Sequence, residues 1–426
     1  MLDGEREKRT FVSSLTFTPE EVKKILFEKI RDENELVQNN VTEQDRLEEK
    51  EMLKELYYRE GETNIVSLFS GAGGLDLGVE LSSMVVQFGE KKAYRAFESK
   101  DGYLKLRSKV KCNFVYSNDM FTAANLSYVK NFAPTVTKVA KDIRKVNVFP
   151  KCNLMLGGFP CPGFSSSGPR LLDDPRNFLY VHYIRALVQS TPEFFVAENV
   201  KGLMTMAKGQ VLNQMIEDFQ AVGYHVTAHL VNSRDYGVPQ LRERVFIIGI
   251  RNDIYIKYGF NYEVPEPTHG EGKLPYVNLK EAIGDLPLDA SDVYEGSFSS
   301  MYMSRNRKKS WNEQSFTIQA SGRQAPMHPH GEPMKKIGKD EWEFQGDFNR
   351  RLSVREVARI QTFPSWFEFS NGNKEGVTRN HKLNEQYKQI GNAVPVILAE
   401  KMVRPIIKFL YEYISSSGVQ KSKLNL

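Results

Sequence analysis

Cysteine is scarce in this chain: three residues in 426, Cys112, Cys152 and Cys161, with no CxxC pair among them. That scarcity disfavours a disulfide framework and a cysteine-rich zinc site, so no metal is expected, and it suits a reducing compartment. Long apolar runs are missing too. No stretch approaches the ~18 uninterrupted apolar residues of a membrane-spanning helix, and the opening MLDGEREKRTF lacks the apolar segment of a secretory signal. The expectation is a soluble cytoplasmic protein with no membrane partner. Also absent are the GxGxxG of dinucleotide binders and the GK[ST] of a phosphate loop.

Neither sign of charge dominates. The 58 basic and 53 acidic residues leave a formal net charge of +5. Residues 1–60 hold 11 basic and 16 acidic residues, so the remainder is mildly basic, which permits a nucleic-acid partner without demanding one. Apolar residues make up 40%, enough for a sizeable core, and the length suggests two or three compact units.

Residues 1–60 read as a helical extension. Thr18-Pro19-Glu20-Glu21 combines a Thr cap, Pro in the first turn and Glu three residues after the cap. Val22, Ile25, Leu26 and Ile30 then recur at helical spacing, and a second charged stretch, 43–59, carries Leu47, Leu53 and Leu56. From Asn64 the texture changes. The apolar run 65–69 ends in Ser70-Gly71-Ala72-Gly73-Gly74 and an apolar helical segment follows, the opening of a βαβ unit. Further strands are expected over 112–117, 154–156, 194–197, 225–231 and 245–250, with helices over 179–189 and 210–222 between them. The alternation predicts an α/β fold with a mostly parallel sheet and helices on both faces. Between about 265 and 350, prolines, glycines and aromatics break the pattern, and a smaller second domain is expected there. Helices return over 353–361 and 396–413, and the polar tail from 415 is expected to fray.

Several residues carry chemistry. A glycine turn after a strand lets backbone approach a ligand closely. A carboxylate at the end of the next strand would accept from ribose hydroxyls; Asp119 and Glu98 are the candidates, and the usual separation of about 20 residues favours Glu98. Cys161 lies in a Gly/Pro loop after the buried-looking run 154–156, where a thiol becomes a nucleophile if its pKa is lowered; Cys112 and Cys152 read as structural. Glu198 closes an apolar strand, and desolvation there would hold a proton on it near neutrality. With a period of two, Gln240, Arg242 and Arg244 would share one face and suit an anionic or hydrogen-bonding ligand. His328 and His330 read as part of a turn.

Together these pieces resemble the DNA (cytosine-5)-methyltransferases of bacterial restriction–modification systems. Residues 67–80 (SLFSGAGGLDLGVE), 159–165 (FPCPGFS), 198–200 (ENV), 240–244 (QLRER), 350–364 (RRLSVREVARIQTFP) and 386–395 (QYKQIGNAVP) match six motifs of that family, in its order. Asn118-Asp119-Met120 looks like its ribose-carboxylate segment, which moves the choice from Glu98 to Asp119 and leaves an insertion of some twenty residues after the first helix. Asp142-Ile143 looks like the adenine-binding pair. Pro162 stands where many members have Gln, and Asn153 where many have Asp.

The resemblance implies a Rossmann-like S-adenosylmethionine-dependent methyltransferase domain over 61–287 and 384–426. It also implies a smaller, irregular, strand-rich target-recognition domain over 288–383, with 1–60 as the extension. It implies duplex DNA as substrate, a flipped cytosine, and catalysis by Cys161, Glu198, Arg242 and Arg244. The cofactor would be S-adenosylmethionine, with Phe69, Ser70, Gly71, Gly73, Gly74, Asp119, Met120, Asp142, Ile143, Pro160, Leu179, Asn392 and Ala393 around it. Ser165 and Ser167, in the cysteine loop, and Arg305, Arg307, Lys308 and Arg323 would contact DNA. Residues 303–334 are similar to the recognition region of members methylating GGCC; related regions occur with other short sites. A restriction endonuclease acting on the same site is the implied partner, and a monomer on DNA the implied state. An RNA cytosine-5 methyltransferase is disfavoured by this motif order, and a catalytically silent DNA-binding member by intact Cys161, Glu198 and Arg244. The absent GxGxxG disfavours an NAD-dependent oxidoreductase.

Overall fold

The computed structural model describes residues 18–160 and 179–424. A seven-stranded sheet in the order β3-β2-β1-β4-β5-β7-β6 forms its centre. The strands are β1 (Thr63–Leu68), β2 (Cys112–Asn118), β3 (Thr137–Val139), β4 (Leu154–Gly157), β5 (Phe194–Val200), β6 (Tyr224–Asn232) and β7 (Glu243–Arg251). β1 to β5 run parallel, and β7 is antiparallel to both β5 and β6. The central strands are buried almost throughout because both faces are covered. Val66, Leu68 and Met155 feed one core, shared with Tyr183 and Ile184. Ile65, Leu154 and Leu156 feed the other, against Leu398, Met402 and Ile406.

The helices that position the site are α1 (Pro19–Asn40), α2 (Glu43–Glu55), α3 (Gly74–Phe88), α4 (Glu90–Phe97), α5 (Lys100–Arg107), α6 (Thr122–Asn131) and α7 (Leu179–Ser190). α1 opens on the box expected from its sequence: the Glu21 amide donates to Thr18 Oγ1 and the Thr18 amide to the Glu21 carboxylate. Its Val22, Leu26, Ile30 and Val37 are buried, while Ile25 is exposed. α3 starts after Gly73, whose φ of +87° suits glycine. At Gly78 a side chain would lie 2.4 Å from Ala399 Cβ, so glycine allows the helix Val396–Leu424 to pack directly on α3. That helix runs on to Leu424, past the tail expected to fray.

α4 and α5 fill the insertion that follows α3. They are tied down by a buried ion pair, Arg107 to Glu80 at 2.5 Å, and by Tyr103 stacked on Trp366 at 4.7 Å. Strand content in 288–383 is small. The described residues there hold one antiparallel pair, β8 (Lys335–Gly338) and β9 (Glu341–Glu343), and single bridges such as Lys308–Met327 and Met327–Arg351. Pro326, Pro329, Gly331 and Pro333 interrupt any longer ladder. Packing there rests instead on arginine–aromatic stacking, with the Arg351 guanidinium 4.1 Å over Phe298. Position 384 falls inside helix Arg379–Asn392. Ile360, Phe363 and Phe367 share a core with Leu77 and Leu81 of α3. Among the described residues no helix is long and apolar enough to cross a membrane.

Candidate active site

Strand register builds the site. Leu68 pairs with Asn118 on one side and Gly157 on the other, and Gly157 pairs with Ala197. The carboxyl ends of β2, β1 and β4 are therefore level, β5 runs three residues further to Val200, and the chain leaves all four at one edge of the sheet. The strand order reverses direction between β1 and β4, where open α/β sheets form their ligand crevice. A cavity of about 550 Å³ lies there.

The glycine turn forms one wall. Phe69, Gly71 and Gly73 all have positive φ, +53°, +54° and +87°, and the Ser70 and Gly73 amides close the turn by donating to the Asn118 and Ser70 carbonyls. The Gly71 amide donates to Asp119 Oδ2 at 2.8 Å and the Phe121 amide to Asp119 Oδ1 at 2.7 Å. The carboxylate is thus fixed at the cavity while each oxygen keeps acceptor capacity. Glu98 caps the end of α4 and is exposed, outside the cavity lining; the insertion displaces it. At Gly74 a side chain would lie 2.6 Å from the Val394 carbonyl. Ser70, Asp142, Ile143, Pro160, Leu179, Asn392 and Ala393 complete the lining, and Met120, 66% exposed, sits at its rim.

The opposite wall carries charge. Glu198 lies within β5, which continues to Val200, and Arg244 Nε is 2.8 Å from its Oε1. Burial raises the Glu198 pKa, against the opposing pull of Arg244 and Arg242. The same carboxyl group faces Gly158, and Asn199 Nδ2 donates to the Phe159 carbonyl at 3.2 Å. Both contacts are made just before the loop that carries Cys161, Ser165 and Ser167, which lie outside the described residues. Cys112 and Cys152 are not in the cavity lining, and burial pushes both thiols up.

Gln240, Arg242 and Arg244 do not all converge: β7 begins only at Glu243, and Arg242 and Arg244 line the cavity while Gln240 does not. Arg242 is fully buried and donates to the carbonyls of Ile318 (3.0 Å), Gly391 (2.8 Å) and Ala393 (3.0 Å). Gln240 accepts from the Ile318 amide and donates to Gln361, both at 2.8 Å. These two side chains stitch chain segments together, and of the three Arg244 makes the ion pair with Glu198.

A family model described as C-5 cytosine-specific DNA methylase matches residues 63–408. The chain belongs to this family. It is 54% identical over 411 residues to the Type II methyltransferase M.BsuRI of Bacillus subtilis, covering 96% of this chain and 92% of that protein. It is 52% identical to the Type II methyltransferase M.BspRI of Lysinibacillus sphaericus, covering 97% and 96%. The crystal structure of a Spodoptera frugiperda DNMT2 mutant superposes with a TM-score of 0.53 at 17% identity, covering 82% of this chain and 100% of that one, a likeness of fold.

The basic residues of the methylase's second region differ in availability. Arg305 and Arg323 are exposed. Arg307 stacks on Tyr302 at 4.6 Å and donates to its carbonyl. Lys308 is buried, with Nζ 3.3 Å from the Phe348 carbonyl, so the ammonium expected to face DNA points inward. His328 is buried too, Nε2 3.4 Å from the Glu356 carboxylate.

Sequence reasoning missed a buried network beneath the glycine turn. Asp76 accepts from Ser67 Oγ (2.7 Å) and Tyr128 OH (2.8 Å). Lys138 donates to Ser70 Oγ (2.7 Å) and Ser117 Oγ (2.9 Å). Burial raises the Asp76 carboxyl to about 6 and lowers the Lys138 ammonium to about 8. The available signal for Asp76 was an acid inside an otherwise apolar helix start; nothing in the sequence around Lys138 marks it.

Proposed function

We propose that this methylase transfers a methyl group from S-adenosylmethionine to C5 of a cytosine flipped out of duplex DNA, through a transient covalent bond from Cys161. The observation that carries the reading is one cavity bounded by the glycine turn with Asp119 on one side and the Glu198–Arg244 pair on the other, with Pro160, the residue before Cys161, in its lining. Its volume suits an organic cofactor, for which pockets run roughly 300–1,000 Å³. The lone-pair capacity left on Asp119 suits two ribose hydroxyls, and Phe69, Ile143 and Leu179 supply apolar surface for an adenine. When bound, S-adenosylmethionine supplies an electrophilic methyl group.

Cytosine C5 is too weak a nucleophile to accept that methyl unaided. The Cys161 thiolate adds to C6, and the ring electrons move to C5. Glu198, holding its proton through burial, donates to the pyrimidine at N3 and accepts from the exocyclic amine. Arg244 fixes the Glu198 carboxyl group and faces the base. Arg242 acts as a positioning residue through the carbonyls of Gly391 and Ala393. After methylation the C5 proton leaves to water and Cys161 is eliminated, restoring the ring. The target carbon is inaccessible in a stacked duplex, so the base must be extruded.

Residues 288–383 would select the site, with Arg305 and Arg323 available to bases or phosphates, and GGCC is the target proposed from the similarity of 303–334. The Type II names of the relatives support a role in protecting host DNA from a partner endonuclease; a monomer in the cytoplasm is proposed with it from the family resemblance. A duplex containing 5-fluorocytosine, incubated with the donor, tests the chemistry: a covalent complex mapped by mass spectrometry to Cys161 is expected. No complex, or one through another side chain, overturns the mechanism. Bisulfite sequencing of DNA from expressing cells tests the target site, and labelled donor with RNA tests the polymer.

A further inference from the structure

The wall of the cavity over 142–149 has little regular structure of its own. It contains a single 3-10 turn, Ile143–Lys145, and follows the short edge strand β3. It is held from outside by α7, whose Gln189 accepts from the Phe149 amide and donates to the Asn147 carbonyl, and by the N-terminal helices. From α2, Asp45 Oδ1 receives Lys141 Nζ at 2.7 Å, and Glu49 Oε1 accepts from the Asn147 amide at 3.0 Å. Asp45 and Glu49 are four residues apart, one turn, so both reach the same side. From α7, the buried Arg185 donates to the carbonyls of Ile143 (3.0 Å) and Val146 (2.6 Å). Its other terminal nitrogen reaches Asn34 Oδ1 of α1 at 3.5 Å. Leu26 and Ile30 of α1 share a core with Ile143, Val146 and Leu179.

α2 buries no residue completely. Its Met52 packs on the core only partly buried, and its polar ties to the wall supplement that contact. A helix that merely covered the body would not need two carboxylates aimed at one loop.

We propose that α1 and α2 belong to the cofactor site: Asp45, Glu49 and Asn34 are positioning residues that hold the Asp142–Ile143 wall in its binding conformation. The inference rests on the reading that this cavity takes S-adenosylmethionine. Without these ties the wall samples other conformations, and apparent affinity falls in proportion to the competent fraction.

The test uses the full chain without DNA and measures S-adenosylhomocysteine binding by calorimetry. The double substitution Asp45→Asn/Glu49→Ala is expected to weaken binding about tenfold, which is roughly 1.4 kcal/mol. Affinity for duplex DNA in the absence of donor should be unchanged. In a cycle of Asp45→Asn and Lys141→Met, the combined variant should lose no more than either alone. Thr18→Ala, which removes the α1 cap far from the wall, is the control: it should lower the melting temperature and leave ligand affinity intact. Equal affinity in parent and wall variants would overturn the inference while leaving the cofactor reading standing. So would a loss in Thr18→Ala as large as in the wall variants. A parent that fails to bind the ligand at all would instead overturn the cofactor reading.

Discussion

Glu198 is pulled in two directions. Burial favours its neutral form, and Arg244 at 2.8 Å favours its charged form; burial prevails and the pKa rises. Methyl transfer that needs the proton on Glu198 should therefore fall as pH rises through that elevated value. Glu198→Gln cannot lose a proton, so the alkaline limb of its kcat profile should flatten, with some activity retained. Glu198→Ala should lose about 10²–10³ in kcat, the usual scale for removing a donor to developing charge. An alkaline limb identical in parent and Gln variant would refute the protonated role. The choice between Asp119 and Glu98 shows how far residue-level reading reaches. Spacing favoured Glu98, the motif favoured Asp119, and the amides of Gly71 and Phe121 fix Asp119 at the cavity.

At the scale of single elements, the segment 240–244 teaches the most. Alternation implied three side chains on one face, yet regular pairing of β7 with its neighbours begins at Glu243 and the two residues upstream turn into the seam. Arg242→Ala would take the donor from the carbonyls of Ile318 and Gly391, while that of Ala393 keeps Gln361. A loss of about 3 kcal/mol is expected, measured as a lower urea midpoint with unchanged slope. The helix Val354–Ile360 offers a second test. Its Glu356 is buried, which alone would raise its pKa. Hydrogen bonds from Arg350 and the Ser353 amide, with His328 Nε2 close by, outweigh that and bring it to about 2. A carboxyl depressed from 4.5 in the unfolded chain stabilises the fold fully above 4.5, by about 3 kcal/mol, and the contribution fades as pH falls through 2. Glu356→Gln should melt lower than the parent at neutral pH, and the gap should close in acid. A gap that stays constant between about pH 7 and pH 3 would contradict this account.

The whole molecule is joined at a few close backbone approaches. Gly391 packs against the chain at Gln319 and Ala320, where an added Cβ would come within 2.4 Å of backbone atoms. Because backbone cannot rotate away as a side chain can, Gly391→Ala should destabilise by about 1–3 kcal/mol and weaken DNA binding together with cofactor binding. A variant that melts and binds like the parent would mean the seam is looser than the packing implies. The insertion α4–α5 and the extension α1–α2 are held by different physics. The first is closed by buried aromatic stacking and an ion pair, the second by apolar packing of one helix and polar ties of the other.

Much of this was legible in the chain itself. The cap at Thr18, the strand–glycine turn–helix sequence and the ordered motifs are local patterns, and α1 began where Thr18 placed it. The destinations of individual side chains were not. Gly71 meets Asp119 across 48 positions and Arg242 meets Gly391 across 149. Asp45 meets Lys141 across 96. Such pairs form because parallel strands are ordered in space by crossovers rather than by sequence, so a residue's neighbours are set by which strand lies beside its own and where that strand ends. Periodicity encodes a face; only packing assigns that face a partner.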